Sequence, residues 1–217
     1  MKWNVDSIVW DFDGVVADTG KDIAKAANWT LQQLGLPEQP NATLVRYIGG
    51  GAGPLVRKML GERADELYDR ALPLMKERYG QYFFVETDLY PGIREVLEFY
   101  ARAGKSMGIA TNKVETVLRT ILRGLELEPF FEVLIGPESV TRRKPDPEVV
   151  LKVLETLGTA PKRAVMIGDT AADIGAGKAA GTWTVGVTYG YGSREEVEGA
   201  GPDVVIDSAL ELLEYVE

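Results

Sequence analysis

Short runs of β-branched and aromatic residues alternate along this chain with longer stretches in which apolar residues recur at helical spacing. The strand-like runs are Ser7-Ile8-Val9-Trp10, Ser106 to Ala110, Glu132 to Ile135, Ala164 to Ile167, Trp183 to Val187 and Asp203 to Ile206, and each ends near Gly, Thr or Asp. Between them lie helical patterns. Ile93 to Ala103 carries Val96, Leu97 and Tyr100 on one face, and Glu148 to Leu157 carries Val149, Val150, Val153, Leu154 and Leu157. Strands alternating with helices of this length predict a parallel sheet with crossover helices on its faces. A short helix from Ala209 to Tyr215 closes the pattern.

The stretch from about Asp18 to Glu86 reads differently. Ile23, Ala26, Ala27, Thr30, Leu31 and Leu34, then Leu67, Leu72, Met75, Tyr79, Tyr82 and Phe83, keep helical periodicity with no convincing strand. Gly35-Leu36-Pro37 and Gly49-Gly50-Gly51-Ala52-Gly53-Pro54 interrupt it. The expected fold is therefore α/β: a doubly wound, Rossmann-like parallel sheet with an α-helical cap inserted after the first strand. Residues 1–16 and 88–217 are expected to form the core, and residues 17–87 the cap.

Composition narrows the chemistry. A chain of 217 residues, 45% hydrophobic and 26% charged, is long enough for one sizeable core and a small accessory domain. It has no run of about eighteen apolar residues, and the opening Met1 to Asp6 lacks the apolar segment of a signal peptide, so a cytoplasmic location is expected and a membrane is not. With no cysteine and no histidine, any metal must sit among oxygen ligands, and acid–base work falls to carboxylates, lysine or tyrosine. A net charge of -9 argues against a nucleic-acid partner. Oligomeric state is not legible.

In open parallel sheets ligands bind beyond the carboxyl ends of the strands. Asp11 and Asp13 follow the first run, and Thr111 and Asn112 the second. A loop to Lys144 follows the third, and Asp169 and then Asp173 follow the fourth. Singly, each has an ordinary reading: a turn for Asp11 to Gly14, a helix cap for Thr111 or Asp173, a solvated cation for Lys144. Together they converge four carboxylates, a hydroxyl and an ammonium on one edge. Carboxylates so crowded repel unless a hard cation neutralises them, and Mg2+ is the expected occupant. The Asp11 and Asp169 carboxylates and the main-chain carbonyl of Asp13 would hold it.

Asp11-Phe12-Asp13-Gly14-Val15-Val16-Ala17-Asp18-Thr19, Ala110-Thr111-Asn112, Lys144-Pro145 and Gly168-Asp169-Thr170-Ala171-Ala172-Asp173 resemble, in order, the four signature motifs of the haloacid dehalogenase superfamily. The resemblance spans the chain and includes the cap between the first two motifs. It implies that Asp11 is a nucleophile forming a phospho-aspartate, Asp13 the general acid and base, Thr111, Asn112 and Lys144 phosphate ligands, and Asp169 a metal ligand supported by Asp173. Dehalogenases of the superfamily lack the second aspartate and phosphonate-cleaving members have a small residue there, so Asp13 points to phosphate esters or anhydrides. The phosphoglucomutase branch uses a cap histidine, which this chain lacks.

Leu89-Tyr90-Pro91-Gly92-Ile93, Ala110 to Lys113, Thr188-Tyr189-Gly190-Tyr191-Gly192 and the Arg46 to Gly53 segment are similar to phosphoglycolate phosphatases with a helical cap. The activity this implies is magnesium-dependent hydrolysis of a small phosphorylated metabolite, with 2-phosphoglycolate the leading substrate. A pyrophosphatase, a sugar-phosphate phosphatase or phosphomutase, and, further off, a catalytically silent binding module are the alternatives. Glycines 49, 50, 51 and 53 read equally as a loop closing over the crevice or as a plain interhelix turn. Lys21, Arg46 and Arg57 are candidate anchors for a substrate carboxylate, with Arg46 preferred because it adjoins the glycine loop.

Overall fold

A computed structural model describes residues 2–217. Six parallel strands form the central sheet: β1 (Ser7–Trp10), β4 (Ser106–Ala110), β5 (Val133–Ile135), β6 (Ala164–Gly168), β7 (Trp183–Val187) and β8 (Val204–Ile206), in the order β5-β4-β1-β6-β7-β8. A separate antiparallel ribbon pairs β2 (Ala17–Asp18) with β3 (Asp88–Leu89). The chain steps outward from β1 to β4 and β5, then crosses back to β6 and steps outward again through β7 and β8. The direction of winding thus reverses beside β1, which opens a crevice at the carboxyl ends of β4, β1 and β6.

Both faces of the sheet are covered, which is why β1 and β6 are buried at every position. Side chains alternate between faces. Ile8 and Trp10 join the cluster built by Ile93, Val96, Leu97 and Tyr100 of α5 (Ile93–Arg102) and by Leu118, Ile121 and Leu122 of α6 (Glu115–Gly124). Val9 and Met166 point the other way, onto Val149, Val150, Val153 and Leu154 of α7 (Glu148–Leu157) and Ala176 and Ala180 of α8 (Ala171–Ala180). Helix α9 (Arg194–Gly199) joins β7 to β8, and a 3-10 turn (Ala209–Glu211) leads into the short α10 (Leu212–Tyr215). The closing helix expected from Ala209 is therefore split.

Between β2 and β3 the chain forms α1 (Gly20–Gln33), α2 (Asn41–Val45), α3 (Ala52–Leu60) and α4 (Ala64–Tyr82). These helices share a second apolar cluster. Ile23, Ala27 and Leu31 of α1 and Leu67, Ala71 and Met75 of α4 recur every four residues along their helices and pack with Leu55, Val56 and Met59 of α3. The β2–β3 ribbon was not expected, because strands of two residues are too short to leave a period. The segment entering β3 is fixed by buried Asp22 of α1, whose carboxylate accepts from the backbone N–H groups of Val85, Glu86 and Thr87 and from the Thr87 hydroxyl, at 2.9–3.1 Å.

Candidate active site

Asp11, Thr111 and Asp169 are each the first residue after a strand, β1, β4 and β6 in turn, so the parallel sheet delivers all three to the crevice. The Asp11 N–H donates to Ile167 O at 2.9 Å, extending the β1–β6 ladder by one residue and fixing where its side chain starts. Asp173, on the first turn of α8, completes a buried group: one carboxylate oxygen from each of Asp11, Asp169 and Asp173 lies within 4.8 Å of the others. Asp173 divides its work. Its Oδ2 accepts from Thr170 N at 3.0 Å and Thr170 Oγ1 at 2.6 Å, capping α8, while its Oδ1 lies 2.6 Å from Lys144 Nζ.

Lys144 is the counter-ion of the group. Its Nζ donates to Ala110 O at 2.8 Å and lies 2.7 Å from Asp11 Oδ1. Burial favours loss of its proton, but Asp11 and Asp173 outweigh that and hold the ammonium above the ordinary lysine range. The acids respond in the opposite sense. Burial pushes the Asp11 carboxyl up to about 7 against the pull of Lys144, and Asp169 is held well above the usual carboxylate range by burial, then by Asp173 and Asp11.

Three carboxylates and one ammonium leave two negative charges when all are ionised. Asp169 Oδ1 is buried without a hydrogen-bond donor, and Asp11 Oδ1 has only Lys144 beside it, at 2.7 Å. An orphaned oxygen, a surplus of two charges and hard donors alone fit a divalent cation of the Mg2+ type. The backbone is shaped to the same end. Gly14 has φ +88°, and a Cβ there would sit 2.1 Å from Asp169 Oδ2. Only glycine permits both.

Asp13 lies apart from the acidic group. Its Oδ1 accepts from Thr19 Oγ1 at 2.6 Å and from Lys113 Nζ at 2.8 Å, and among the described residues nothing bonds its Oδ2. Lys113 is itself nearly fully buried and also donates to the Tyr79 hydroxyl of α4 at 2.8 Å, so it ties Asp13 to the helical insert. Thr111 Oγ1 accepts from Lys113 N at 3.1 Å. The Asn112 side-chain amide donates to Gly49 O at 2.7 Å, across to the glycine loop, and Arg143 reaches Gly50 O at 3.4 Å. That loop thus connects two helices and also lies against the sheet edge.

A chamber of about 220 Å³ opens above Asp11. Asp11, Asp13, Thr111, Asn112 and Lys113 line its floor, and Ile23, Leu55, Met75 and Tyr79 its roof. Arg46 does not border it. It lines a second cavity, with Lys58, Thr170 and Glu196, that shares Ile48 and Gly49 with the first. Lys21 and Arg57 border neither cavity.

The family model of haloacid dehalogenase-like hydrolases matches residues 8–187. The chain belongs to this family. A phosphoglycolate phosphatase of Nitrosospira multiformis is 33% identical to it over 218 residues, covering 98% of this chain and 96% of the relative. One from Aquifex aeolicus is 39% identical over 184 residues, 85% of each chain. Among solved structures, a predicted phosphoglycolate phosphatase from Haemophilus somnus superposes with a TM-score of 0.90 at 25% identity, covering 97% of both chains. This haloacid dehalogenase-like hydrolase is a phosphoric monoester hydrolase.

Sequence reasoning about the hydrolase named Thr19, Lys113 and Tyr191 within motifs and Tyr79 in a helical pattern, but gave none of them a role at the site. Lys113 directly follows Thr111-Asn112, but spacing does not reveal whether such a cation turns inward or to water. Tyr191 contributes its main-chain N–H, which donates to Asp169 Oδ2 at 2.7 Å. No side-chain pattern encodes that contact. Gly190 and Gly192 beside it were the available sign, since a Cβ on either would meet Asp169 within 2.4 Å.

Proposed function

We propose that this hydrolase cleaves small phosphate monoesters through a phospho-aspartate on Asp11, with 2-phosphoglycolate as a substrate. The observation that carries the reading is the environment of Asp11, buried at the chamber floor between Lys144 and the two other acids of the group. A carboxylate there faces an incoming phosphate with a fixed ammonium beside it, which offsets the repulsion between two anions. Residues 1–16 and 88–217 form the catalytic core in this reading, and residues 17–87 the cap.

In the first half-reaction an Asp11 oxygen forms a bond to phosphorus as the bond to the departing alcohol breaks. Asp13 gives that alcohol its proton. In the second half Asp13 takes a proton from water, the water oxygen bonds phosphorus, and the acyl phosphate breaks to return the Asp11 carboxylate and inorganic phosphate. Thr111, Asn112 and Lys144 bind and orient the phosphoryl oxygens. Held by Asp11, Asp169 and the main chain of Asp13, with Asp173 steadying Lys144, Mg2+ would supply neutralisation of the phosphoryl charge.

The carboxylate of phosphoglycolate meets Lys113 in the chamber wall; Arg46, beyond the glycine loop, serves only if that loop shifts. The reactant is a small phosphorylated metabolite, and the net charge of -9 disfavours nucleic acid. No helix among the described residues is long and apolar enough to cross a membrane, consistent with work in the cytoplasm. The test is phosphate release from a panel of p-nitrophenyl phosphate, 2-phosphoglycolate, sugar phosphates and pyrophosphate, with and without Mg2+. Metal-dependent turnover with phosphoglycolate preferred by kcat/KM supports the reading. Turnover that survives chelation, or in Asp11→Asn, overturns it.

A further inference from the structure

The chamber is larger and less polar than a two-carbon acid requires. Above the floor its walls are Ile23, Leu55 and Met75 from the cap, Val114 and Val117 from the start of α6 and its approach, and Ile48 beside the glycine loop. Only Lys76 and Lys113 are cationic among the lining residues, and Lys113 is already paired with Asp13. A small carboxylate can be met at Lys113 or Lys76, but an anion seated against Ile48, Leu55, Met75 and Val117 loses its hydration without gaining a partner, whereas an apolar group there gains by leaving water. We infer that the same site hydrolyses phosphate monoesters of primary alcohols bearing an aryl or branched-alkyl group, the apolar group lying against Ile48, Leu55, Met75 and Val117. The inference rests on the phosphatase reading above and adds to it the class of leaving group.

The apolar wall is built into the fold. Leu55 and Met75 are buried members of the cap cluster, held by Ile23, Leu31 and Leu67, so the wall exists without a ligand. Val117 lies on α6, next to Leu118 and one helical turn before Ile121, which together with Leu122 anchor that helix to the sheet. One wall thus comes from each side, and the floor carries the chemistry. No additional step is needed: the ester P–O bond breaks, the alcohol takes the proton of Asp13, and water later releases phosphate from Asp11.

Comparing 2-phenylethyl phosphate with ethyl phosphate tests this, because both leave as primary alcohols of nearly equal acidity and differ chiefly in apolar surface. With Mg2+ present, kcat/KM for the phenylethyl ester should exceed that for the ethyl ester by about tenfold or more. The ratio should fall several-fold in Val117→Asn, a position on the α6 surface rather than in the cap core. Equal specificity constants for the two esters, with both turned over, overturn the apolar subsite and leave the phosphatase reading standing. If neither ester, nor p-nitrophenyl phosphate, releases phosphate, the phosphatase reading itself fails and takes this inference with it. A wild-type preference that Val117→Asn leaves untouched removes Val117 from the subsite as assigned.

Discussion

The floor and the roof of the chamber are held in place by different means. Asp11, Thr111 and Asp169 on the floor sit one residue beyond strands of a single ladder, and Lys144 is clamped by three oxygens at 2.6–2.8 Å. Moving any of them means breaking the sheet or exposing a buried ion cluster. The helical insert is attached to the core by separate hydrogen bonds rather than by a ladder: Asn112 to Gly49, Arg143 to Gly50, Lys113 to Tyr79, Thr19 to Asp13 and Tyr191 to Asp18. Each neutral bond of this kind contributes about 0.5–1.5 kcal/mol, and the bonds to charged groups about 1.5–3. The floor is therefore rigid by construction, while the roof can lift at a cost of a few such bonds. In the proposed reading, chemistry resides in the part held by the sheet, and access and selectivity in the part held by separate bonds.

The comparison is most sharply tested at the floor. Asp11→Asn should lower kcat by about four orders of magnitude or more while the protein stays folded. Without metal its melting temperature should rise, since burial and neighbouring acids disfavour the Asp11 charge that the amide removes. A folded variant with substantial turnover would falsify the nucleophile assignment.

Chelation comes next, with an expected loss of at least about a hundredfold. A melting experiment adds the pH arm. The Asp11 carboxyl is raised to about 7 in the folded state, so its contribution to stability is present at low pH and lost as pH climbs from about 4 through 7. Mg2+ should then raise the melting temperature more at pH 8 than at pH 5. The reverse order would mean that the acidic group is not the metal site.

Lys113 joins the two regions, so Lys113→Met tests both at once. We expect kcat/KM for phosphoglycolate to fall by roughly tenfold to a hundredfold, and for p-nitrophenyl phosphate by less. Equal losses would assign Lys113 to Asp13 alone rather than to the substrate carboxylate. Where floor meets roof, Asn112→Ala both removes a phosphoryl ligand and frees Gly49 O, so KM and kcat should each worsen a few-fold; a loss confined to KM would limit Asn112 to holding the glycine loop. Arg46→Ala should change phosphoglycolate turnover by about twofold at most, in keeping with the near-zero worth of exposed charges outside a contact. A tenfold fall would show that the loop moves and brings Arg46 to the substrate.

The floor was legible in sequence because parallel strands write themselves as short apolar runs and place the next residue at the ligand edge. Ser7 to Trp10, Ser106 to Ala110 and Trp183 to Val187 were read to the residue, and the acids and Lys144 followed from where the runs ended. The roof was legible only as periodicity. Ile23, Ala27 and Leu31 announced a helix, yet nothing in their spacing said which end of α1 overhangs Asp11, or that Arg46 lies on the far side of Gly49 while Tyr79 points inward.

What the sequence alone determined, then, is the identity of the six sheet strands and the longer helices, the order of the motifs, and an all-oxygen, histidine-free chemistry. Only the tertiary structure decided which cation faces which acid. Lys113 and Lys144 both follow strand-end loops and carry the same charge, but one closes on Asp13 and Tyr79 and the other on Asp11 and Asp173. The physical reason is range. Hydrophobic periodicity is set by neighbours a turn or a pleat away, whereas these buried ion pairs join residues from 29 (Lys144 and Asp173) to 133 (Lys144 and Asp11) positions apart in sequence, and the partner is chosen by packing that no local pattern records.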